Sequence, residues 1–258
     1  MGEALLSRLV SKGVYAPSDV LVSDPLPQRQ DALKQQYGVE ATADNAWVMG
    51  SAEVVLLAVK PQIFHRVVEG LKVQETSGHP VQQLIISILA GTAIQQLESA
   101  FPDQSVVRAM PNTPATVGAG MTAIAPGQHT SSEQVAIARQ LFEAVGEVVE
   151  VPESMMDAVT GVSGSGPGFL AVVAEAMIDG GVLSGLPRTV ATQLALQTLR
   201  GTAELLQSGV HPAELKDRVT SPGGTTIAGV AQMESAGVRS AIIQAVRAAC
   251  ERSQSLGQ

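Results

Sequence analysis

Aromatic residues and cysteines are scarce in this chain of 258 residues. Phe, Trp and Tyr together make up 3% of the residues, while 45% are hydrophobic, so Leu, Val, Ile, Ala and Gly must fill the core. This composition is typical of a globular protein with closely packed sheets and helices, and it excludes a disordered chain. Cys250 is the only cysteine, which excludes an intrachain disulfide and argues against a secreted, disulfide-stabilised domain.

The chain also lacks an excess of basic residues and a long uninterrupted apolar run. Sixteen Lys and Arg against 24 Asp and Glu give a net charge of −8, and no basic block occurs, so we expect no nucleic-acid partner. No apolar run reaches the roughly 18 residues that a membrane span needs. The start, MGEALLSRLV, lacks the features of a signal peptide. We therefore predict a cytoplasmic protein without a membrane partner.

Metal-ligand spacing is absent as well. The four histidines are scattered along the chain rather than clustered at ligand intervals: His65, His79, His129 and His211. Structural and catalytic metal sites usually need closely spaced His, Cys or carboxylate ligands. We predict no metal site.

The first half of the sequence alternates short apolar runs with helical segments. VVLLAV at Val54–Val59 and LIISIL at Leu84–Leu89 are continuous apolar runs, which is typical of strands buried on both faces. Further strands are predicted at Val20–Ser23, Val39–Thr42, Val106–Ala109, Thr122–Ala125 and Glu147–Val151. Helices are predicted at Met1–Lys12, Gln28–Tyr37, Asn45–Gly50, Ile63–Leu71, Gln95–Phe101 and Ser132–Ala144. This alternation predicts an α/β fold with a doubly wound parallel sheet.

From Pro152 onward no strand pattern occurs. Met155–Leu183 is apolar nearly all round, and a helix of that kind is buried on every side. The remaining residues are too few to cover it, so we predict a subunit interface. Further helices are predicted at Arg188–Gln207, Ala213–Val219, Thr226–Ser235 and Arg239–Ser253. The change of pattern predicts two domains, residues 1–151 and residues 152–258, the second all-α.

A glycine-rich loop of the dinucleotide-binding type is missing. Such folds open with a strand, then G-x-G-x-x-G, then a helix; here the helix at Met1–Lys12 comes first. In the strand order 3-2-1-4-5-6 the first strand is central, so we expect Val20–Ser23 and Val54–Val59 each to have an unpaired edge. Each unpaired buried backbone group costs on the order of 1–3 kcal/mol. We therefore expect the sequence as given to start late, at an internal Met; the alternative is compensating pairing in a non-functional chain.

Ligands of doubly wound sheets bind beyond the carboxyl ends of the strands. Those ends carry breaks or small residues in this sequence: Ser23-Asp24, Val59-Lys60-Pro61, Ala90-Gly91 and Met110-Pro111-Asn112. Four such ends in register favour a binding site. The alternative is that Pro and Gly only form turns there.

Gly223-Gly224 precede a helix predicted to start near Thr225, in the segment VTSPGGTTIA. The first N–H groups of a helix have no partner inside it, and the helix dipole places positive potential there. This arrangement predicts an anion site, for which a carboxylate is a suitable ligand. The alternative is simple N-capping by Thr225.

Five segments resemble the pyrroline-5-carboxylate reductase family: VLLAVKPQ at Val55–Gln62, RAMPNTPATVGAGMT at Arg108–Thr122, DAVTGVSGSGP at Asp157–Pro167, GLPR at Gly185–Arg188 and VTSPGGTTIAGVAQME at Val219–Glu234. The last is the most specific. The resemblance implies NAD(P)H-dependent reduction of 1-pyrroline-5-carboxylate to L-proline, the last step of proline biosynthesis. It implies a Rossmann-like dinucleotide-binding domain over residues 1–151, N-terminally incomplete, and a helical substrate-binding and dimerisation domain over residues 152–258. It also implies a homo-oligomer, either a dimer or a ring of dimers such as a decamer.

The resemblance assigns cofactor-binding roles to residues at the strand ends: Asn45, Ala58, Val59, Lys60, Pro61, Ala90, Gly91 and Asn112. Ser23 and Arg29 follow the second strand of the complete fold, where the adenosine ribose is recognised. A hydroxyl and a guanidinium there suit a 2′-phosphate and favour NADPH. NADH remains an alternative cofactor, because the Asp24 carboxylate is able to hydrogen-bond a free 2′-hydroxyl. A solvated helix residue is an equally good interpretation of Arg29.

The resemblance places the substrate carboxylate on Ser221, Gly223, Gly224, Thr225 and Thr226. Thr226 is the candidate proton donor to the ring nitrogen. Glu153 matches an acidic position near the substrate and would stabilise an iminium electrostatically; the alternative is a solvated hinge carboxylate. Lys60 is a second candidate acid, which we rank as a cofactor-site residue.

Two other functions remain open from the residues alone. One is a related reductase of a small 3-hydroxy acid, which VTSPGGTTIAG argues against. The other is a non-catalytic dimeric scaffold, weakly active or inactive, that lacks the cofactor loop.

Overall fold

Strands and helices alternate through the first 150 residues of the structure, a computed structural model that describes residues 1–72 and 83–256. The elements are α1 (Gly2–Ser11), β1 (Leu21–Ser23), α2 (Pro27–Tyr37), β2 (Glu40–Thr42), α3 (Asn45–Ser51), β3 (Val54–Leu57), α4 (Phe64–Lys72), β4 (Leu84–Ser87), α5 (Ile94–Ala100), β5 (Ser105–Met110), β6 (Gly120–Pro126), α6 (Ser132–Glu143) and β7 (Gly146–Glu150). Every predicted strand and helix of this half is present. The two long apolar runs form shorter strands than predicted, since β3 ends at Leu57 and β4 at Ser87.

The described strands form two sheets. β1 pairs with β2 in parallel, and the other five strands are ordered β3-β4-β5-β6-β7. β1 and β3 therefore each have one edge that pairs with no other described strand, as predicted. The prediction of a parallel sheet is wrong for one pair of strands, because β6 runs antiparallel to β5. Residues 111–119 connect these two strands, and a parallel connection needs about a dozen residues or more.

Helices cover both faces of the five-stranded sheet, which confirms the doubly wound arrangement. On one face, Leu5 of α1 and Phe142 of α6 pack against Ile86 and Ile124. On the other face, Phe64 of α4 and Leu97 of α5 pack with Ile85 and with neighbouring core residues.

Helix α1 joins the two sheets. Its Leu5 and Leu9 belong to the core of the five-stranded sheet, while Leu6 packs with Leu33 and Val39 beside the β1–β2 pair. Leu5 is fully buried. Since burying one Leu side chain contributes about 1.5–3 kcal/mol, these contacts are a main source of cohesion between the sheets.

The rest of the chain is helical. It contains α7 (Met156–Val159), a π-helical turn (Thr160–Gly164), α8 (Gly166–Leu183), α9 (Arg188–Gln207), α10 (Pro212–Arg218), α11 (Thr225–Ser235) and α12 (Val238–Leu256). The predicted helix over Met155–Leu183 is therefore interrupted at the π-helical turn.

The chain divides into two compact units. The first unit is Met1–Gly164 with Ala249–Gln258, and the second is Ser165–Ala248. The division falls at Gly164, whereas the sequence places the boundary at residues 151–153. The domain boundary at residues 151–153 stays a prediction. His79 lies outside the described residues.

Helix α8 has no buried residue within the chain, although it is strongly apolar. Leu183 is 91% exposed and Val172 is 65% exposed. By length and composition alone, the stretch Glu153–Leu183 is long and apolar enough to cross a membrane. It is therefore an exception to the prediction that no apolar run reaches the length of a membrane span. The expectation that the chain alone does not cover this helix is confirmed.

Substitution of Gly146, at the start of β7, tests how closely β6 and β7 pack. It pairs with Gly120, and a Cβ at Gly146 would collide with the Gly120 carbonyl, which is backbone and cannot move aside. We expect Gly146→Ala to lower the free energy of unfolding by about 3 kcal/mol. Gly50→Ala is the matched control, because a Cβ on Gly50 in α3 meets nothing within 4 Å. Urea denaturation that gives equal midpoints for the two variants would contradict the packing.

Candidate cofactor and substrate sites

The turn after β1 holds the first predicted cofactor residues. Ser23 ends the strand and is half-buried. The Asp24 carboxylate accepts a hydrogen bond from the Leu26 N–H at 2.9 Å, and the Gln30 side chain donates to the Asp24 carbonyl at 2.7 Å. Asp24 therefore shapes the turn into α2, which weakens its use as a ribose ligand.

Arg29 in the first turn of α2 forms an ion pair with Glu3 of α1. Glu3 also accepts a hydrogen bond from the Tyr37 hydroxyl at 3.1 Å. The bonded guanidinium holds the pKa of the Glu3 carboxyl below its ordinary value, and Glu3 in turn raises the pKa of Arg29. Both side chains are nearly two-fifths exposed, at 38% and 39%. Arg29 is therefore an oriented, reachable cation rather than an unpartnered helix residue.

The segment after β3 packs closely against the start of α1. A Cβ added to Gly2 would lie 2.9 Å from the Ala58 Cβ, so only glycine permits this approach. Ala58, Lys60 and Pro61 are exposed and Val59 is half-buried. Close packing of the first helix on a strand end is the role of the last glycine in dinucleotide-binding folds. The contacts of Ala58, Val59, Lys60 and Pro61 with a cofactor stay a prediction.

The end of the chain covers the segment after β4. Gly91 is buried with φ at +75°, and a Cβ there would lie 3.1 Å from the Leu256 Cβ and 3.2 Å from its carbonyl oxygen. Ser253 donates a hydrogen bond to Asp157 at 2.6 Å in the same region. The end of α12 therefore belongs to this strand end, which no sequence pattern indicated.

Asn112 after β5 is a bridge between three backbone segments. Its Nδ2 donates to the Ser163 carbonyl at 3.2 Å and lies 3.3 Å from the Ser163 hydroxyl, and its Oδ1 accepts from the Met121 N–H at 2.9 Å. The amide thus ties the loop after β5 to the π-helical turn and to β6. An amide group has two donors and one oxygen acceptor, so most of its capacity serves the fold. A direct contact with the cofactor stays a prediction.

Asn45 is placed differently from Asn112. It is the exposed first residue of α3, next to Asp44, whose carboxylate accepts from the N–H groups of Ala46 and Trp47 at 3.0 Å each. The Asn45 side chain is accessible to a ligand at the edge of the β1–β2 sheet.

Glu153 is engaged within the first unit. Its Oε1 accepts from the Ile94 N–H at 2.6 Å and pairs with Nη1 of Arg108 at 3.1 Å. The Arg108 side chain is only 9% exposed, so the carboxylate is its counter-charge, and removing one partner of a buried pair costs several kcal/mol. Glu153 therefore caps α5 and neutralises Arg108. Its predicted contact with substrate is untested, and its charge is already partly compensated.

The start of α11, where the sequence predicts an anion site, has no side-chain cap. The helix begins at Thr225 with Gly224 as N-cap and no side-chain cap, so the alternative of N-capping by Thr225 is wrong. Gly223 has φ at +68°, and a Cβ on Gly224 would collide with the Ser221 side chain. The Gly224 N–H donates to the Ser221 carbonyl at 3.0 Å.

These residues are open to solvent. Within the chain, Ser221, Gly223, Thr225 and Thr226 are exposed and Gly224 is half-buried. The first N–H groups of α11 and the Thr hydroxyls are therefore available to a carboxylate. The set lies in the second unit, whereas Glu153 and the predicted cofactor residues lie in the first.

The structure adds Glu3, Ser163 and Leu256 to the residues around the predicted sites. Glu3 and Arg29 are 26 positions apart and Asn112 and Ser163 are 51 apart, so no local spacing connects them. Among the residues the structure describes, no group of three or more His, Cys, Asp or Glu is arranged to hold a metal ion.

Asn112→Asp tests the bridge. The substitution keeps the size and the acceptor for Met121 but places a carboxylate oxygen against the Ser163 carbonyl. We expect the free energy of unfolding to fall by about 2 kcal/mol, because the half-buried Ser163 carbonyl loses its donor and faces a negative charge. Asn45→Asp, at an exposed position, is the control and should change it by less than about 0.5 kcal/mol. If urea denaturation shows equal losses for both variants, the bridge does not stabilise the fold.

Two family models match the sequence. "Pyrroline-5-carboxylate reductase dimerisation" matches residues 153–256, and "NADP oxidoreductase coenzyme F420-dependent" matches residues 1–91. The first match covers a range that includes α8, whose apolar surface is exposed within the chain. The second match covers α1 through the end of β4, including the predicted cofactor residues of those strand ends. The chain thus combines a Rossmann-like NADP-binding region with a helical dimerisation domain and forms a homo-oligomer.

Proteins of one name are similar over the whole chain. Pyrroline-5-carboxylate reductase of Synechocystis is 55% identical over 100% of this chain and 95% of its own length. A solved pyrroline-5-carboxylate reductase from Coxiella burnetii matches with a TM-score of 0.89 at 31% identity, over 100% and 95% of the two chains. A Plasmodium falciparum pyrroline carboxylate reductase with NADP bound matches with a TM-score of 0.88 at 30% identity, over 100% and 95%. On the strength of full-length identity at this level, this chain belongs to the pyrroline-5-carboxylate reductase family.

Proposed function

We propose that this protein reduces 1-pyrroline-5-carboxylate to L-proline with NADPH, the last step of proline biosynthesis. The observation that carries the proposal is the uncapped, glycine-preceded start of α11, in a chain similar over its full length to reductases of this name. A cyclic imine with a carboxylate is the ligand chemistry that such a helix start suits.

The N–H groups at the start of α11 bind the substrate carboxylate. Gly224 has no side chain to fill the space above Ser221, and Gly223 supplies the positive φ that turns the chain into the helix. The carboxylate thus accepts charge-assisted hydrogen bonds from Thr225 and Thr226, which are stronger than neutral ones. These hydrogen bonds fix the position of the imine.

Ser23 and Arg29 bind the 2′-phosphate of the adenosine ribose. The remaining cofactor contacts come from exposed or half-buried residues at the strand ends: Asn45, Ala58, Val59, Lys60, Pro61, Ala90 and Asn112. Gly91 is the exception, since Leu256 covers it; it supports the turn instead. When held by these residues, NADPH would supply the hydride that reduces the imine carbon.

The ring nitrogen needs a proton or a hydrogen bond as the imine carbon is reduced. The Thr226 hydroxyl donates a hydrogen bond to this nitrogen, since Thr226 lies in the exposed first turn of α11 beside the carboxylate-binding groups. The proton that the amine gains comes from solvent, so the Thr226 hydroxyl is unchanged at the end of the reaction. Reduction of an iminium needs no strong nucleophile, so positioning provides most of the rate increase. The negative charge of Glu153, the other acidic candidate, is partly compensated by its pairing with Arg108.

The working assembly is a homodimer built on the apolar surface of α8. Light scattering distinguishes a dimer from a decamer built of such dimers. We place the protein in the cytoplasm, which its single cysteine supports.

The direct test is oxidation of NADPH by the purified protein with 1-pyrroline-5-carboxylate, followed by chromatography of the product. Formation of L-proline supports the proposal. A dimer that shows no turnover would favour the scaffold function, and turnover only with a 3-hydroxy acid would favour the related reductase.

Thr226→Ala should lower kcat/KM for 1-pyrroline-5-carboxylate by about tenfold or more, because removing one hydrogen-bond donor to an atom on which negative charge develops costs on the order of 10²–10³ in kcat. Thr202→Ala, at an exposed position of α9, is the control and should leave kcat/KM unchanged. Steady-state kinetics that do not distinguish the two variants would remove Thr226 from the mechanism.

Gly224→Ala should weaken binding of L-proline by about tenfold. The added Cβ should displace the turn and with it the N–H groups of Thr225 and Thr226, which costs about one charge-assisted hydrogen bond to the carboxylate. The added Cβ would collide with Ser221, whereas a Cβ on Gly229 in the same helix meets nothing within 4 Å. Titration calorimetry of Gly224→Ala beside Gly229→Ala measures the difference. Equal affinities would place the carboxylate elsewhere.

A further inference from the structure

The Glu3–Arg29 pair has an unusual position for a structural ion pair. It joins the first turn of α1 to the first turn of α2, next to the carboxyl end of β1, where the proposed function places the 2′-phosphate. Exposed ion pairs contribute little to stability, about 0–1 kcal/mol. Because the Glu3–Arg29 pair contributes little to stability and lies where the 2′-phosphate is proposed to bind, its main effect is expected on that ligand.

Glu3 is held in place from two sides. Its Oε2 accepts from the guanidinium and its Oε1 from the Tyr37 hydroxyl. Because Arg29 lowers the pKa of Glu3, the carboxylate stays ionised at neutral pH. Asp24 is the other acidic group that acts on Arg29, and its carboxylate is bonded to the Leu26 N–H.

Glu3 acts on a bound phosphate in two ways. It neutralises the Arg29 charge that would attract the phosphate, and its own negative charge repels a phosphate dianion nearby. A ribose with a free 2′-hydroxyl meets no such repulsion, since a hydroxyl is able to donate to a carboxylate. The chain thus balances Arg29, which favours a 2′-phosphate, against Glu3, which disfavours it.

We propose that Glu3 is a specificity-determining residue: it sets how strongly the cofactor site prefers a ribose 2′-phosphate over a free 2′-hydroxyl by competing with that phosphate for the Arg29 guanidinium. This inference rests on the proposed binding of NADPH at Ser23 and Arg29. It predicts a dual-cofactor enzyme whose preference for the phosphorylated form rises when the Glu3 charge is removed.

The test is titration calorimetry of the purified protein with 2′,5′-ADP and with 5′-AMP, which need no turnover. For Glu3→Gln, which keeps the acceptor for Arg29 but removes the charge, we expect binding of 2′,5′-ADP to tighten about tenfold while that of 5′-AMP changes less than about twofold. The gain should shrink at high salt, because it is electrostatic.

Glu150→Gln is the matched control, because Glu150 also pairs with an arginine, Arg139, away from the β1 turn. It should change neither affinity. If Glu3→Gln leaves the ratio of the two affinities unchanged or lowers it, Glu3 does not set the preference. If the unsubstituted protein binds 5′-AMP but the Glu3→Gln variant does not bind 2′,5′-ADP more tightly than 5′-AMP, the placement of the phosphate on Arg29 is wrong as well. If the unsubstituted protein binds neither nucleotide, the proposed cofactor site itself is wrong.

Discussion

Unpaired backbone N–H groups at the start of α11 are the interaction on which the proposed chemistry depends. Every helix has such groups, but here the N-cap is glycine, no side chain occupies them, and the residues around them are exposed. Positive backbone potential that no side chain caps suits an anion. In the proposed function, the substrate's carboxylate meets this requirement, and its binding orients the imine for reduction. The same proposal gives Thr226 the role of donor to the ring nitrogen, because Thr226 lies in the same turn.

The first unit is organised by contacts between distant segments. Helix α1 joins two sheets through Leu5 and Leu6, Glu153 pairs with the buried Arg108, and Asn112 ties three backbone segments together. Two residues that the family resemblance marks as ligands, Asn112 and Glu153, thus have clear structural partners. Their contacts with cofactor and substrate stay predictions.

The sequence predicts the order of elements well, because apolar runs such as Val54–Leu57 and helix periodicity are local signals. It also locates α11 to within one residue, since Gly223-Gly224 mark its start. The direction of β6 is missed, because the apolar pattern of a strand is the same in either direction and the short 111–119 connection alone decides it. The contacts Glu3–Arg29 and Asn112–Ser163 are missed because long-range pairing of polar side chains leaves no periodic pattern in the chain.

The most direct test of the central claim is a crystal structure of the protein with L-proline bound. We expect the proline carboxylate within hydrogen-bonding distance of the backbone N–H groups of Thr225 and Thr226, with the ring nitrogen near the Thr226 hydroxyl. Proline bound at another place, with solvent above Gly223 and Gly224, would contradict the account.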